Sequence, residues 1–104
     1  MNVADIFKEM PNRLNVEKAK GMDATVQFDL SGADGGQWYV HVHDGKAETT
    51  EGTADSPTAT IAMDADDYKA LTSGKLNPMT AFMTGKIKVD GDLNAVMKFQ
   101  TLFV

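Results

Sequence analysis

Hydrophobic positions along this chain change period several times, and each change predicts an element. Val3, Ile6, Phe7 and Met10 recur at i, i+3, i+4 and i+7, the stripe of an amphipathic helix. Asn2 stands before it as an N-cap, with Asp5 three residues on as the other half of a capping box. Pro11 stops or redirects this helix, since its ring clashes with the preceding turn. Asn15 caps a second short turn over VEKAK, closed by Gly21 in the left-handed position. The period then falls to two. Val26, Phe28 and Leu30 alternate with Thr25, Gln27 and Asp29, and Trp38, Val40 and Val42 alternate with Tyr39, His41 and His43. Such alternation marks strands with one buried face. SGADGG between them is turn material, and Asp44-Gly45 predicts a two-residue hairpin. Lys46 to Gly52 reads as a polar edge strand. A fourth strand turns Ala59, Ile61 and Met63 inward. A helical unit followed by an antiparallel meander, covered on one side only, is the expected result.

The C-terminal half returns to helices. Asp64 caps a short one, with Tyr68 and Leu71 as its apolar contacts and Gly74 as its end. Asn77-Pro78 supplies an N-cap and a proline at the first helical position of the next, which ends at Gly85. Lys86 to Asp90 alternates as a strand with Ile87 and Val89 inward, Gly91 turns the chain, and Asp92 caps the closing helix. On a helical wheel of that last segment, Asn94, Lys98 and Thr101 share a narrow polar arc. Leu93, Ala95, Val96, Met97, Phe99, Leu102, Phe103 and Val104 fill most of the remainder. That apolar arc spans roughly 200°, where a surface helix uses about 100°. The arc of Val96, Phe99, Leu102 and Phe103 is expected to face either a void or a partner. Core packing, a ligand cavity and an oligomer interface are the three uses open to this surplus, to which Met79, Phe82 and Met83 add.

Composition narrows the classes. The 104 residues make a single domain over 1–104. There is no cysteine, hence no disulfide framework, thiol nucleophile or thiolate metal site. A net charge of −5 argues against nucleic acid as a partner. No run approaches the roughly 18 apolar residues of a membrane span. The opening MNVADIFKEMPNR lacks the basic-then-apolar pattern of a secretory signal, so the expected location is the cytoplasm. The charge is unevenly placed: from residue 75 on, Lys75, Lys86, Lys88 and Lys98 face only Asp90 and Asp92. Seven methionines are spread along the chain, and methionine recurs at adaptable apolar surfaces.

Candidate catalytic or metal chemistry is sparse. His41 and His43 share one strand face. With Gly35 and Glu48 they fall at the spacing G-x5-H-x-H-x4-E, which resembles the first metal motif of the cupin barrels. Cupins draw a further histidine from a second motif, and this chain has only two. Both imidazoles are expected on the solvent face. The glycines of GADGG do not form a dinucleotide fingerprint. Asp64, Asp66 and Asp67 lack the glycine and distal glutamate of a calcium loop and are read as helix-capping acids. No nucleophile–base pair can be placed. We therefore expect no catalytic residue, no metal and no cofactor.

The order of these segments resembles the sterol carrier protein type 2 family nearly end to end. IFKEMPNRLNVEKAKGMDATVQFDLSG is similar to its N-terminal helical region and first strand, and GGQWYVHVHDG to its tryptophan-bearing hairpin. The most specific part is PTATIAMDADDYKALTSGKLNPMTAFMTGKIKVDG, with its asparagine-proline helix and following G-K-hydrophobic-K-hydrophobic-x-G. LNAVMKFQTLF is similar to the closing helix. The resemblance implies an α+β fold: a five-stranded, mainly antiparallel sheet with helices on one face and an apolar tunnel between the layers. It implies non-enzymatic binding of fatty acids, fatty acyl-coenzyme A, phospholipids or sterols. Carried over by position, the tunnel-lining residues would be Trp38, Ile61, Met63, Ile87 and Val89 from the sheet, and Met79, Phe82 and Met83 from the Asn-Pro helix. Met97, Phe99, Leu102 and Phe103 of the closing helix complete the set. Two departures stand out. The sequence closes on Leu102-Phe103-Val104 rather than a peroxisomal tripeptide, and the expectation from this is a last helix without a further segment to seal a tunnel. Such a lid leaves the ligand end open, or leaves apolar surface for membrane contact, a homodimer or another partner.

Overall fold

A computed structural model describes residues 2–103; Val104, counted above in the last apolar arc, lies outside them. Helix α1 (Val3–Glu9) begins at a full capping box: the Asp5 amide donates to Asn2 Oδ1 at 2.9 Å, and Asp5 in turn accepts from the Asn2 amide. Val3, Ile6, Phe7 and Met10, the predicted stripe, are all buried. The chain passes Pro11 as a tighter 3-10 turn (Met10–Arg13) before α2 (Val16–Ala19), capped by Asn15. Strands β1 (Ala24–Ser31), β2 (Gly36–His43) and β3 (Lys46–Glu51) follow. Asp44 and Gly45, both at positive φ, form the turn between β2 and β3. Next come β4 (Ala59–Asp64), α3 (Ala65–Thr72), α4 (Pro78–Met83), β5 (Ile87–Gly91) and α5 (Leu93–Leu102).

The sheet order is β3-β2-β1-β4-β5. Three of the four pairings are antiparallel, but β4 runs parallel to β1, with Phe28 opposite Ile61 and Leu30 opposite Met63. This corrects the expected meander. After β3 the chain does not add a fourth strand beside it; it crosses the sheet and enters on the far side of β1. Alternation fixes which face a residue occupies and says nothing about which strand is its neighbour. The sheet is therefore mixed, though still mainly antiparallel.

Gln27 holds that crossing in place. It points to the polar face of β1, yet only 2% of it is exposed. Its side-chain amide donates to the carbonyls of Trp38 and Gly52 at 3.2 and 3.1 Å, and its Oε1 accepts from the Ala54 amide at 2.8 Å. A buried amide is tolerated because both its ends are satisfied by backbone. On the other face, Val26, Phe28, Leu30, Val40, Val42, Ile61 and Met63 meet Phe7, Tyr68, Phe99 and Leu102 from α1, α3 and α5 in one core. Phe7 lies at its centre. It stacks on Trp38 (centroids 4.9 Å) and Tyr68 (5.4 Å) and sets its ring edge-on to Phe28, the arrangements aromatic quadrupoles prefer. The α5 end is tied back to the N-terminal half: the Asn15 amide donates to the Leu102 carbonyl at 2.8 Å.

Candidate functional site

Local chemistry builds the C-terminal layer. Asn77 Oδ1 accepts from the amides of Met79 and Thr80, starting α4 behind Pro78. Asp92 Oδ1 accepts from the Ala95 amide and starts α5. Between them β5 forms a sheet edge, with Ile87 opposite Met63 and Val89 opposite Ile61. Helix α4 has six residues, and its side-chain burial is confined to Ala81. Met79 is 62% exposed, Phe82 44% and Met83 78%. Across the edge strand, α5 exposes Leu93 (44%) and Met97 (55%). Helices α4 and α5 thus each carry exposed apolar side chains, and β5, between them in the chain, carries half-buried Ile87 and Val89; together these are the apolar face of the C-terminal layer. Large exposed hydrophobics on a small domain are the usual candidates for an interaction site.

The sequence-derived residues divide into groups. Ile61, Met63, Phe99 and Leu102 lie in the core, with Trp38, Ile87 and Phe103 packed against it. Val89 is half-buried, and Met79, Phe82, Met83 and Met97 stand on the open face. Trp38 stacks on Phe7 of α1. One expectation is corrected here. The arc of Val96, Phe99, Leu102 and Phe103 meets the core: Phe99 is 5% exposed and packs its ring against Phe28 and Phe103. The surplus of α5 sits instead on Leu93 and Met97. A wheel measures how much of a helix is apolar; tertiary packing decides which part is covered. Leu93 belongs to the face and was legible in the arc, whereas Phe28 and Phe7 were legible only as core.

The lysines of this part of the chain do not ring the face: Lys86 and Lys88 alternate with Ile87 and Val89 and so lie on the opposite side of the sheet edge, and Lys75 lines a depression between α1 and α3. Lys75, Lys86, Lys88 and Lys98 are exposed, and among the described residues none of them forms an ion pair. Two depressions lie elsewhere. One of about 480 Å³ runs between α1 and α3, past Glu9, Arg13, Asp66 and Lys69. Another of about 660 Å³ opens at the end of the sheet, past Asp29, Gln37, Asp64 and Lys86. Neither is lined by Met79, Phe82, Met83, Leu93 or Met97, so the exposed apolar side chains of α4 and α5 lie apart from both.

The histidines of β2 do share the open sheet face. Their rings stack at 4.2 Å, and each holds its own carboxylate: His41 Nε2 with Asp23 at 2.8 Å, His43 Nε2 with Glu48 at 2.5 Å. The hydrogen bond to Glu48, then that to Asp44, raises the His43 pKa above its ordinary value. Ion pairing explains the residues there. At the other end of the molecule, Asp34 accepts from the Val3 amide at 3.0 Å and pairs with Lys69 at 2.7 Å. The bond to Lys69, then that to Val3, holds its carboxyl below the usual range. That pair locks α1 to α3.

Comparison with known proteins covers the whole of this architecture. The residue pattern of the SCP-2 sterol transfer family matches residues 5–104. Hydroxysteroid dehydrogenase-like protein 2 of Mus musculus is 33% identical over 101 residues, covering 96% of this chain and 21% of that protein. Sterol carrier protein 2 of Bos taurus is 35% identical over 103 residues, covering 93% of this chain and 19% of that protein. The solution structure of the sterol carrier protein domain 2 of Helicoverpa armigera superposes with a TM-score of 0.75 at 28% identity, over 94% of this chain and 80% of that one. The chain thus spans about a fifth of the length of the curated relatives it matches.

Proposed function

The chain belongs to the SCP-2 sterol transfer family, and from that premise we propose that it binds and carries lipid without catalysing a reaction. The ligand class is a fatty acid, acyl-coenzyme A, phospholipid, sterol or similarly apolar molecule. The single observation that carries this reading is the open apolar face of Met79, Phe82, Met83, Leu93 and Met97. An acyl chain would enter beneath α4 and α5, along half-buried Ile87 and Val89, toward Ile61, Met63 and Phe99. Helix α4, whose one buried side chain is Ala81, is the part that gives way and closes over it. With Leu102, Phe103 and Trp38 lining the deeper end, the apolar residues form a tunnel around the chain.

Magnitudes favour a long ligand. Each buried methylene contributes about 0.8 kcal/mol, and association costs roughly 4–15 kcal/mol. A dozen or so methylenes, on the order of a fatty acyl chain, are needed before binding is net favourable. Lys98 of α5, exposed and without an ion pair among the described residues, attracts an anionic headgroup or an anionic membrane surface during loading. In the relatives this unit occupies a fifth of a longer chain, so delivery of lipid to a neighbouring enzyme unit fits the same reading. Within a cell the cytoplasm is the compartment this proposal favours; among the described residues no helix is long and apolar enough to cross a membrane.

Native mass spectrometry after mild purification, paired with uptake of a fluorescent fatty acid, tests the proposal. Adducts of lipid mass and saturable uptake are expected. A protein that stays ligand-free and takes up no probe overturns it. A second reading rests on the same exposed residues: the face joins two copies of the chain as a homodimer. Sedimentation across a concentration series separates the two, because a monomer that binds lipid removes the dimer.

A further inference from the structure

One polar atom sits in the wrong company. Tyr68 of α3 is 3% exposed, and its hydroxyl has no hydrogen-bond partner among the described residues. Its ring lies 5.4 Å from Phe7 and 5.5 Å from Phe28, and Phe28 in turn lies 5.8 Å from Phe99 of α5. The hydroxyl is thus enclosed within the layer between sheet and helices. Leaving a buried donor unsatisfied destabilises the fold, and a phenylalanine would fill this place without that cost. Every other buried side-chain polar group described here, Gln27 foremost, is fully partnered.

We propose that the Tyr68 hydroxyl is the polar anchor for the inner end of a bound lipid, donating a hydrogen bond to a neutral headgroup such as an alcohol or an ester carbonyl. This rests on the lipid reading above and adds the end of the ligand that goes in first. The ring contacts give an order inward from α5: Phe99, then Phe28, then Tyr68. Burial alone raises the phenol pKa well above its ordinary value, so the group remains a donor under physiological conditions. The cation nearest in sequence, Lys69, is committed to Asp34 at 2.7 Å. An ionised carboxylate would therefore be desolvated beside Tyr68 with no positive charge to receive it, whereas an alcohol or ester asks only for a hydrogen bond. Charged heads stay outside, in water.

Tyr68→Phe removes one oxygen and keeps the ring stack. The experiment measures displacement of a fluorescent fatty acid by 1-dodecanol and by dodecane, in wild type and variant, beside the melting temperature of each ligand-free protein. Expected is a three- to tenfold weaker displacement by 1-dodecanol in the variant, about what one hydrogen bond contributes. Dodecane should be unchanged within twofold, and the variant should melt no lower than wild type. Equal behaviour toward both competitors overturns the anchor and leaves lipid binding standing. A variant that melts several degrees lower shows that the hydroxyl serves the fold, and also overturns it. Wild type that binds neither competitor nor probe removes the lipid reading, and the anchor with it.

Discussion

His43 shows how one side chain can be read for pH dependence. Its pKa is raised above 6.5 by Glu48 and Asp44. A group whose folded pKa is raised stabilises the fold fully below the unfolded value, and that contribution fades as pH rises through the folded value. His43→Gln should therefore narrow the stability gap between pH 5.5 and pH 8.5, the loss being larger at pH 5.5; urea denaturation at the two pH values measures it. Asp34 carries the opposite sign. Its lowered pKa gives stability that is present above the ordinary 3.8 and lost as pH falls through the folded value. Gln27 makes a prediction of magnitude. Gln27→Leu leaves the carbonyls of Trp38 and Gly52 and the Ala54 amide without their partner. We expect a loss of about 1–3 kcal/mol, read by urea denaturation, together with faster proteolysis between Gly52 and Pro57. Nothing in the sequence distinguished Gln27 from Thr25 or Asp29 on the same polar face. The loop that buries it arrives from 25 residues away, and local alternation carries no record of that.

At the scale of elements, local chemistry was the legible part. The caps Asn2, Asn15, Asp64, Asn77 and Asp92 act on amides within three residues, so spacing alone located each helix start. Inward strand residues were legible for the same reason: a period of two sorts faces without reference to neighbours. The exposed arc of α5 was not, because its orientation depends on Phe28 and on the Asn15–Leu102 bond. Gly91 marks where an element is constrained by approach. Its φ is +96°, and a Cβ there would come 2.7 Å from the Thr58 carbonyl oxygen. Gly91→Ala should cost about 1–3 kcal/mol through strained backbone and a displaced β4–β5 junction, visible as a lower melting temperature. Helix α4 makes the contrasting case. Because Met79 and Met83 are mostly exposed, a Met79→Lys, Met83→Lys variant should keep its melting temperature within a few degrees while taking up fluorescent fatty acid several-fold less well. If uptake is unaffected, lipid does not enter beside α4.

For the whole molecule, the resemblance in the order of segments gave the family and the five-stranded sheet, and the mixed direction of that sheet emerged only in three dimensions. The parallel β1–β4 pair is a long-range contact, joining Val26 to Ala59 and Leu30 to Met63. A chain made from its N-terminus has β1, β2 and β3 available well before β4. During that interval β1, the middle strand of the finished sheet, is a bare edge bearing Val26, Phe28 and Leu30 on one face. Bare apolar edges recruit other chains. A fragment ending at Pro57 should accordingly be aggregation-prone, and adding the remainder in trans as a separate polypeptide should restore solubility to the extent that it supplies β4. The central strand is thus finished late, and a nascent or truncated chain is most exposed to mispairing at the strand that ends up best protected.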